Sequence, residues 1–254
     1  MLFRSDTVSC FPVTIQSLVS PSRYSLLFPS HDTVSCFPVT IGQAELDQEA
    51  INAVRQLAFP RYYLDFETIG FSVPIWAGTS PYKQLPFQWS CHIENSDGVL
   101  THKEFLDISG GDPRRAFAET LIEAIGASGP IVVYNAPFEG SRMKELAEAF
   151  SDLAAQLLSA VDRLFDLLPL ARNHYYHPAM KGSWSIKAVL PTIAPELDYS
   201  NLTVANGGMA QDAYLDLIGH EMSAADKEEL RKALLVYCEQ DTLAMIRVIS
   251  RWKA

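Results

Sequence analysis

Apolar residues from Pro60 onward fall into short runs and into helical periods. Runs rich in aromatic and β-branched residues predict strands at Tyr62–Glu67, Phe87–Glu94 and Val99–Asp107, and an Asn-Ser-Asp-Gly turn separates the last two. A helical pattern follows at Pro113–Ile125. The first part of the chain therefore predicts three strands followed by a helix.

Strands and helices alternate in the rest of the chain. The continuous apolar run Ile131–Tyr134 predicts a strand buried on both faces, and Leu164–Asp166 predicts another short strand. Helices are predicted at Ser141–Phe150, Leu153–Val161, Ser185–Ile193, Ala210–Ile218 and from Ala224 to about Trp252. The order β-β-β-α-β-α-β-α predicts an α/β fold with a mixed five-stranded sheet flanked by helices.

The amino-terminal part of the chain contains a repeat. The decamer D-T-V-S-C-F-P-V-T-I occurs at Asp6–Ile15 and again at Asp32–Ile41, and the residues between the copies are rich in Ser and Pro. Two copies are too few for a solenoid. We expect residues 1–45 to be a poorly ordered leader, or a mis-assigned start, rather than a functional module. A short helix around Gln43–Leu57 then leads into a domain predicted at 60–254.

Composition narrows the classes of function. The chain has 20 Lys and Arg against 30 Asp and Glu, a net charge of −10. This charge disfavours a broad basic surface for nucleic acid, but it suits an enzyme that holds one strand end beside bound cations. The four cysteines show no zinc-binding spacing and are interpreted as free thiols: Cys10, Cys36, Cys91 and Cys238. We find no signal peptide and no membrane span, which predicts a cytoplasmic protein without a membrane partner.

The strand motif Y-L-D-F-E-T, Tyr63–Thr68, carries two carboxylates. Because strand side chains alternate between faces, Asp65 and Glu67 project to the same side of the sheet. Such a pair can bind a hard divalent cation, which prefers oxygen ligands. An acidic alternation on a solvated sheet face explains the same pattern.

The motif V-Y-N-A-P-F-E, Val133–Glu139, lies where a buried strand gives way to a helix. Asn135 and Glu139 would then stand near the carboxyl edge of the sheet, where open α/β sheets bind their ligands. In the alternative interpretation, Asn135 caps the helix and Glu139 complements its dipole.

The closing helix carries the motif Y-C-E-Q-D, Tyr237–Asp241. Tyr237 and Asp241 are separated by four positions and share a helix face. A purely structural Tyr–Asp pair on an amphipathic helix is the alternative.

Together and in this order, the three motifs resemble the tyrosine variant of the DEDD 3′–5′ exonuclease superfamily, a ribonuclease-H-like group. The resemblance extends from about Pro60 to Trp252. It implies two Mg²⁺ or Mn²⁺ ions, ~4 Å apart, on four carboxylates: Asp65, Glu67, Glu139 and Asp241. It also implies that Tyr237 orients the attacking water. The superfamily usually has Asp at the position of Glu139, and the longer side chain can misplace the carboxylate.

A narrower resemblance rests on P-R-Y-Y-L-D-F-E, P-Y-K-Q-L-P-F-Q and Y-Y-H-P with G-S-W-S-I-K. These motifs are similar to a bacterial family catalogued as a domain of unknown function, which has Glu at the position of Glu139. In that family the domain often follows a Cas4-like nuclease domain. The resemblance therefore implies a Cas4-like nuclease domain as a candidate partner.

The segment from Leu167 to Lys187 combines basic and aromatic residues and contains no acids. Basic groups that pair with phosphates, beside aromatic rings that stack on bases, suit capture of single-stranded nucleic acid or a 3′ end. Core aromatics with solvated lysines are the alternative. With Asn135, the candidate substrate-binding residues are Arg172, His174, Tyr176, Lys181, Trp184 and Lys187.

The long connection Ile69–Leu85 directly follows the acid pair. Loops of this length near a site are often functional, so Trp76 and Tyr82 could cover the strand end. An apolar plug packed on the sheet is the alternative.

These features favour a metal-dependent 3′–5′ exonuclease that hydrolyses phosphodiester bonds of DNA or RNA. One alternative is a catalytically weak or inactive ribonuclease-H-like module that binds nucleic acid or serves as a scaffold for another nuclease. A second alternative is an endonuclease, because fold does not determine the cutting mode. Motifs of phosphate-loop, zinc-protease, α/β-hydrolase and dinucleotide-binding enzymes do not occur in the sequence.

Overall fold

The computed structural model describes residues 44–197, 199–219 and 222–253. Both copies of the decamer lie outside the described residues, as do Cys10, Cys36 and all but the last two residues of the predicted leader. Within the described part of the chain, no helix combines the length and the apolar character needed to cross a membrane.

The structure contains seven strands, eight α-helices and two short 3₁₀ helices within the described residues. The strands are β1 Glu45–Leu46, β2 Arg61–Ile69, β3 Leu85–Glu94, β4 Leu100–Leu106, β5 Ile131–Val133, β6 Leu164–Asp166 and β7 Tyr175–Tyr176. The α-helices are α1 Gln48–Arg55, α2 Arg114–Ile125, α3 Ala136–Ala149, α4 Ala154–Val161, α5 Leu167–His174, α6 Ile186–Ile193, α7 Gly207–Ile218 and α8 Ala224–Lys253. The 3₁₀ helices are Pro178–Met180 and Tyr199–Asn201.

The main sheet has five strands in the order β4-β3-β2-β5-β6. Strand β3 is antiparallel to both β2 and β4, whereas β5 pairs parallel to β2 and β6 pairs parallel to β5. The prediction of an α/β fold with a mixed five-stranded sheet flanked by helices is confirmed. Strands β1 and β7 form a separate two-stranded ribbon that the sequence analysis did not predict.

Helices cover both faces of the sheet. On one face, Leu64 and Phe66 of β2 pack with residues of α2, α3 and α4, including Phe117, Met143 and Leu157. Because side chains of a strand alternate, Tyr63, Asp65 and Glu67 point to the opposite face, against which α8 packs.

The second face is apolar at both ends of β2 and acidic in between. Tyr63 belongs to a cluster with Met245, Ile249 and Trp252 of α8, whereas Ile69 belongs to a second cluster that includes Tyr214 of α7. Asp65 and Glu67 lie between these two residues in the strand. The two apolar clusters therefore keep α8 against the sheet on both sides of the acid pair.

Helix α3 begins at Ala136, five residues earlier than predicted. The side chain of Asp166, at the end of β6, accepts hydrogen bonds of 2.9 Å from the backbone N–H groups of Asn135 and Ala136. Pro137 fits the first turn, where the missing N–H costs nothing. The sequence around Asn135 resembles a loop because the residue that caps this helix comes from a different strand.

Helix α5 was not predicted, and α7 begins three residues before its predicted start. Asp166 accepts a hydrogen bond of 3.0 Å from the N–H of Leu168 and thereby caps α5. Asn206 caps α7 by accepting from the N–H of Met209 at 3.0 Å, so Gly207 and Gly208 join the helix despite their low helix propensity.

Candidate metal-binding carboxylate site

Three of the predicted carboxylates converge on the second face of the sheet. One ligand oxygen each of Asp65 and Glu67 from β2 and of Asp241 from α8 lie within 4.8 Å of one another. Glu67 and Asp241 are buried, and Asp65 is half-buried. Burial excludes the alternative of a solvated sheet face for the acid pair.

Glu139 lies in the first turn of α3 and is only 2% exposed. Its Oε2 atom has no hydrogen-bond partner within the described residues. Burial raises the pKa of Glu139 well above its usual value, and the charge of Asp65 raises it further. Glu139 therefore belongs electrostatically to the same site, although its oxygens are not part of the 4.8 Å group.

The carboxylates oppose one another's ionisation. Burial followed by the charge of Asp241 raises the pKa of Asp65 well above its usual value, and burial followed by the charge of Asp65 does the same for Glu67. Burial raises the pKa of Asp241 to about 6, against the lowering effect of a hydrogen bond from Tyr199. Two charges 4.8 Å apart repel by about 3.5 kcal/mol at an effective dielectric constant of ~20. A cation in this site would therefore be strongly stabilised.

Lys187 of α6 supplies positive charge at the site. Its Nζ donates hydrogen bonds to the Oη of Tyr237 at 2.7 Å and to the backbone oxygen of Ala205 at 3.0 Å. Its charge lowers the pKa values of Asp65, Glu67 and Asp241. One ammonium group offsets only a quarter of the charge that four ionised carboxylates would carry.

The phenol of Tyr237 is neutral over the physiological range. Burial, followed by the charge of Asp241, raises the pKa of Tyr237 far above its usual value. Because its oxygen accepts from Lys187, the phenol hydrogen can be donated elsewhere. The residue is therefore suited to donating a hydrogen bond and unsuited to removing a proton.

Two further residues contact the carboxylates but were missed in the sequence analysis. Tyr199 donates a hydrogen bond to Asp241 Oδ1 at 2.6 Å, and the thiol of Cys238 lies 3.5 Å from Asp65 Oδ2. Cys238 is next to Tyr237 in the third motif, which was the available signal. Tyr199 lies in a 3₁₀ turn without any recognisable pattern.

All ligand atoms at this site are carboxylate oxygens. Hard cations such as Mg²⁺ and Mn²⁺ prefer oxygen ligands, and a buried carboxylate oxygen without a donor, such as Glu139 Oε2, is costly unless a cation or proton compensates it. The four acidic residues therefore fit the divalent ions that the exonuclease resemblance implies.

Residues 62–185 match the family described as "Domain of unknown function (DUF2779)". This match supports the narrower of the two resemblances. The matched residues include Asp65, Glu67 and Glu139, whereas Lys187, Tyr237 and Asp241 lie beyond them.

Similar proteins include the uncharacterized protein UU173 of Ureaplasma parvum, which is 27% identical over 228 residues, or 81% of this chain and 33% of that protein. The uncharacterized protein MG366 of Mycoplasma genitalium is 25% identical over 220 residues, or 78% of this chain and 32% of that protein. The chain spans about a third of the length of these relatives. No solved structure gives a significant match.

The candidate substrate-binding residues fall into three groups. Lys187 is at the carboxylates, as described above. His174 Nδ1 lies 2.7 Å from Asp47 Oδ2 at the start of α1, and Trp184 donates from Nε1 to the backbone oxygen of Tyr175 at 3.0 Å. Tyr176 pairs with Glu45 in the β1–β7 ribbon. His174 and Trp184 therefore make structural contacts through their side chains, whereas Tyr176 is paired through its backbone.

The other candidates present their side chains to solvent. Asn135, Arg172 and Lys181 are exposed, and both Asn135 and Lys181 have positive φ angles, of 95° and 52°. Asn135 makes no side-chain capping bond, so the interpretation of its side chain as the cap of α3 is wrong. Asn135 comes directly before the helix that carries Glu139 and is the exposed candidate nearest to that acid in sequence.

Trp76 and Tyr82, both in the connection after β2, differ in their exposure to solvent. Trp76 is buried in the apolar cluster around Ile69 and donates from Nε1 to the backbone oxygen of Gly110 at 3.1 Å. Tyr82 is 73% exposed. Trp76 therefore forms the apolar plug, whereas Tyr82 is accessible from solvent.

Proposed function

We propose that this protein is a divalent-metal-dependent nuclease that removes nucleotides from the 3′ end of DNA or RNA. In this proposal Asp65, Glu67, Glu139 and Asp241 hold two Mg²⁺ or Mn²⁺ ions on a ribonuclease-H-like sheet. The observation that carries it is the convergence of buried carboxylates from β2 and α8, with Glu139 of α3 beside them, around one ammonium group. The three motifs lie on β2, at the start of α3 and on α8, in the order on which the exonuclease resemblance rests.

Bound divalent ions would polarise the scissile phosphate and stabilise the attacking and leaving oxygens. Asp65 is the central acid of the proposed site, since its charge raises the pKa values of both Glu67 and Glu139. Tyr237 would donate a hydrogen bond to the attacking water or to a phosphate oxygen. Lys187 holds the Tyr237 oxygen and thereby orients that donor.

Substrate would approach through exposed residues rather than through the whole basic and aromatic segment. Arg172 and Lys181 offer positive charge for phosphates, and Tyr82 offers a ring on which a base can stack. His174 and Trp184 are less suited to this role because their side chains already make structural contacts.

The test uses purified protein with 5′-end-labelled single- and double-stranded DNA and RNA, in Mg²⁺, in Mn²⁺ and in EDTA. We expect a ladder of one-nucleotide steps from the 3′ end, no cleavage in EDTA, and loss of activity in Asp65→Asn. The matched control is Asp212→Asn, which removes an exposed carboxylate of α7 and should leave the rate unchanged.

The outcomes of this assay distinguish the alternatives. Internal cuts that depend on Asp65 would indicate an endonuclease. Retained binding of labelled strands without cleavage would indicate a nucleic-acid-binding or scaffolding module. Absence of cleavage, of strand binding and of divalent-ion binding would reject the proposal.

A Cas4-like nuclease domain remains the proposed partner, on the strength of the family resemblance alone. Mixing the purified chain with such a domain and measuring association by analytical ultracentrifugation tests it directly. Sedimentation of the two proteins as separate species would count against the partnership.

A further inference from the structure

A second group of potential metal ligands lies beside the carboxylate site. It consists of His92 on β3, His102 on β4 and Glu239 on α8, whose ligand atoms all lie within 4.8 Å of one another. Glu239 Oε1 is 3.9 Å from His92 Nε2 and 3.9 Å from His102 Nδ1. The two histidines are direct partners in the β3–β4 register, so the sheet itself brings their rings together.

The hydrogen bonds around His92 determine which of its nitrogens carries the proton. Thr242 Oγ1 lies 2.8 Å from the backbone oxygen of Glu239, which can only accept, so we assign the single hydroxyl hydrogen to this contact. The same hydroxyl oxygen lies 2.8 Å from His92 Nδ1 and can only accept there. Nδ1 is therefore protonated, and the Nε2 that faces Glu239 carries a lone pair.

Ser90 determines the position of the proton on His102 in the same way. Ser90 Oγ lies 3.2 Å from Thr242 Oγ1 and 2.9 Å from His102 Nε2. Because the Thr242 hydrogen is already used, Ser90 donates to Thr242 and accepts from His102 Nε2. The Nδ1 of His102, which faces Glu239, consequently carries a lone pair as well.

In these neutral tautomers, three acceptors face one another without a hydrogen between them. His92 is buried, which disfavours a charged ring. Two imidazole lone pairs and a carboxylate in contact are unfavourable unless a cation lies between them. Two metal–ligand bonds of ~2.0–2.1 Å can span up to ~4.2 Å, which covers the 3.9 Å separations.

We propose that His92, His102 and Glu239 bind a transition-metal dication such as Zn²⁺. Imidazole ligands favour Zn²⁺, Co²⁺ and Ni²⁺, in contrast to the all-oxygen carboxylate site. Thr242 and Ser90 are outer partners that fix the two imidazole tautomers, as is usual for histidine ligands. The side chain of Glu239 is 38% exposed, which leaves a solvent side for entry of the ion and for a water ligand.

Local cysteine and histidine spacing in the sequence gives no sign of this site, because the ligands come from two neighbouring strands and a distant helix. A bound ion would tie β3 and β4 to α8, the helix that also carries Tyr237 and Asp241. The inference stands independently of the proposed nuclease activity.

The test is titration of EDTA-treated, desalted protein with ZnCl₂ by isothermal calorimetry, and with CoCl₂ by visible absorption. We expect one tight Zn²⁺ site per chain and Co²⁺ ligand-field bands that indicate nitrogen ligands. Glu239→Gln and His102→Gln should each weaken Zn²⁺ binding ~100-fold or more, beyond the ~10–100-fold that loss of an outer partner costs.

Two controls separate this site from its neighbour. Glu229→Gln removes an exposed carboxylate from the same helix and should leave the affinity unchanged. Asp65→Asn should also leave the Zn²⁺ affinity of the His92, His102 and Glu239 site unchanged. If this substitution removes a second, weaker binding event, that event belongs to the carboxylate site. Circular dichroism of Glu239→Gln, altered at a partly exposed position, checks that its fold is retained.

Absence of stoichiometric Zn²⁺ and Co²⁺ binding would overturn the proposal. So would binding that is lost in Asp65→Asn but retained in both Glu239→Gln and His102→Gln.

Discussion

Replacement of Asp241 by Asn is predicted to stabilise the metal-free protein at pH 8. Asn stands in for the protonated carboxyl group and removes the cost of keeping a buried charge beside Asp65 and Glu67. A rise in pKa from 3.8 to about 6 corresponds to about 3 kcal/mol at a pH well above 6. This shift already includes the opposing effects of the hydrogen bond from Tyr199 and of the charge of Lys187. The free energy of unfolding should therefore increase by about 3 kcal/mol.

The sign of the pH dependence follows from the raised pKa of Asp241. The stability that this carboxyl contributes is fully present below pH 3.8 and is lost as the pH rises through about 6. The pKa values of Asp65, Glu67 and Glu139 are raised as well and act in the same direction. The free energy of unfolding of metal-free wild-type protein should thus fall from pH 4 to pH 8, and should fall less in Asp241→Asn.

Urea unfolding at pH 8, followed by circular dichroism in EDTA and in MnCl₂, measures both effects. An ion at ~100 times its dissociation constant stabilises the wild type by about 2.7 kcal/mol, and Asp241→Asn should lose most of that gain. The advantage of Asp241→Asn over the wild type should therefore nearly disappear in MnCl₂. Asp212→Asn, on the surface of α7, should follow the wild type in both. The prediction is wrong if Asp241→Asn is less stable than the wild type in EDTA and if Mn²⁺ raises its free energy of unfolding as much as that of the wild type.

Substitutions at three further positions test the site. Glu139→Asp should lower the cleavage rate less than Glu139→Gln, because it keeps the charge and shortens the arm by one methylene; equal rates in steady-state assays would contradict this. Tyr237→Phe should reduce the maximal rate ~10–100-fold while the Mn²⁺ affinity measured by calorimetry changes less than threefold. Asp166→Ala should lower the free energy of unfolding in urea by about 1–2 kcal/mol, because the N–H groups of Asn135 and Ala136 lose their acceptor. Unchanged stability would exclude that capping role.

Local patterns predicted the sheet and the acid pair because both depend on alternation within a single strand. Asp65 and Glu67 share a face for a reason that is visible in six consecutive residues, and the apolar runs predicted all five strands of the main sheet. The i, i+4 spacing likewise placed Tyr237 and Asp241 on one face of α8.

The remaining contacts depend on packing between elements that are distant in sequence. The bond from Lys187 to Tyr237 requires α6 to lie against α8, and no residue near Lys187 indicates this. The group of His92, His102 and Glu239 requires the β3–β4 register and the position of α8 together. Neither condition leaves a local pattern in the sequence.

The carboxylate of Asp166 connects parts of the fold that would otherwise open separately. It accepts from the N–H groups of Asn135, Ala136 and Leu168, and so joins the end of β6 to the first turns of α3 and α5. In hydrogen exchange, these three amides should open as one cooperative unit rather than fray independently. Glu139 lies one turn further along α3. Its position therefore depends on β6, an edge strand that carries none of the other three acids of the site. Movement of β6 would therefore shift Glu139 at the carboxylate site, because Asp166 of β6 caps the helix that carries Glu139.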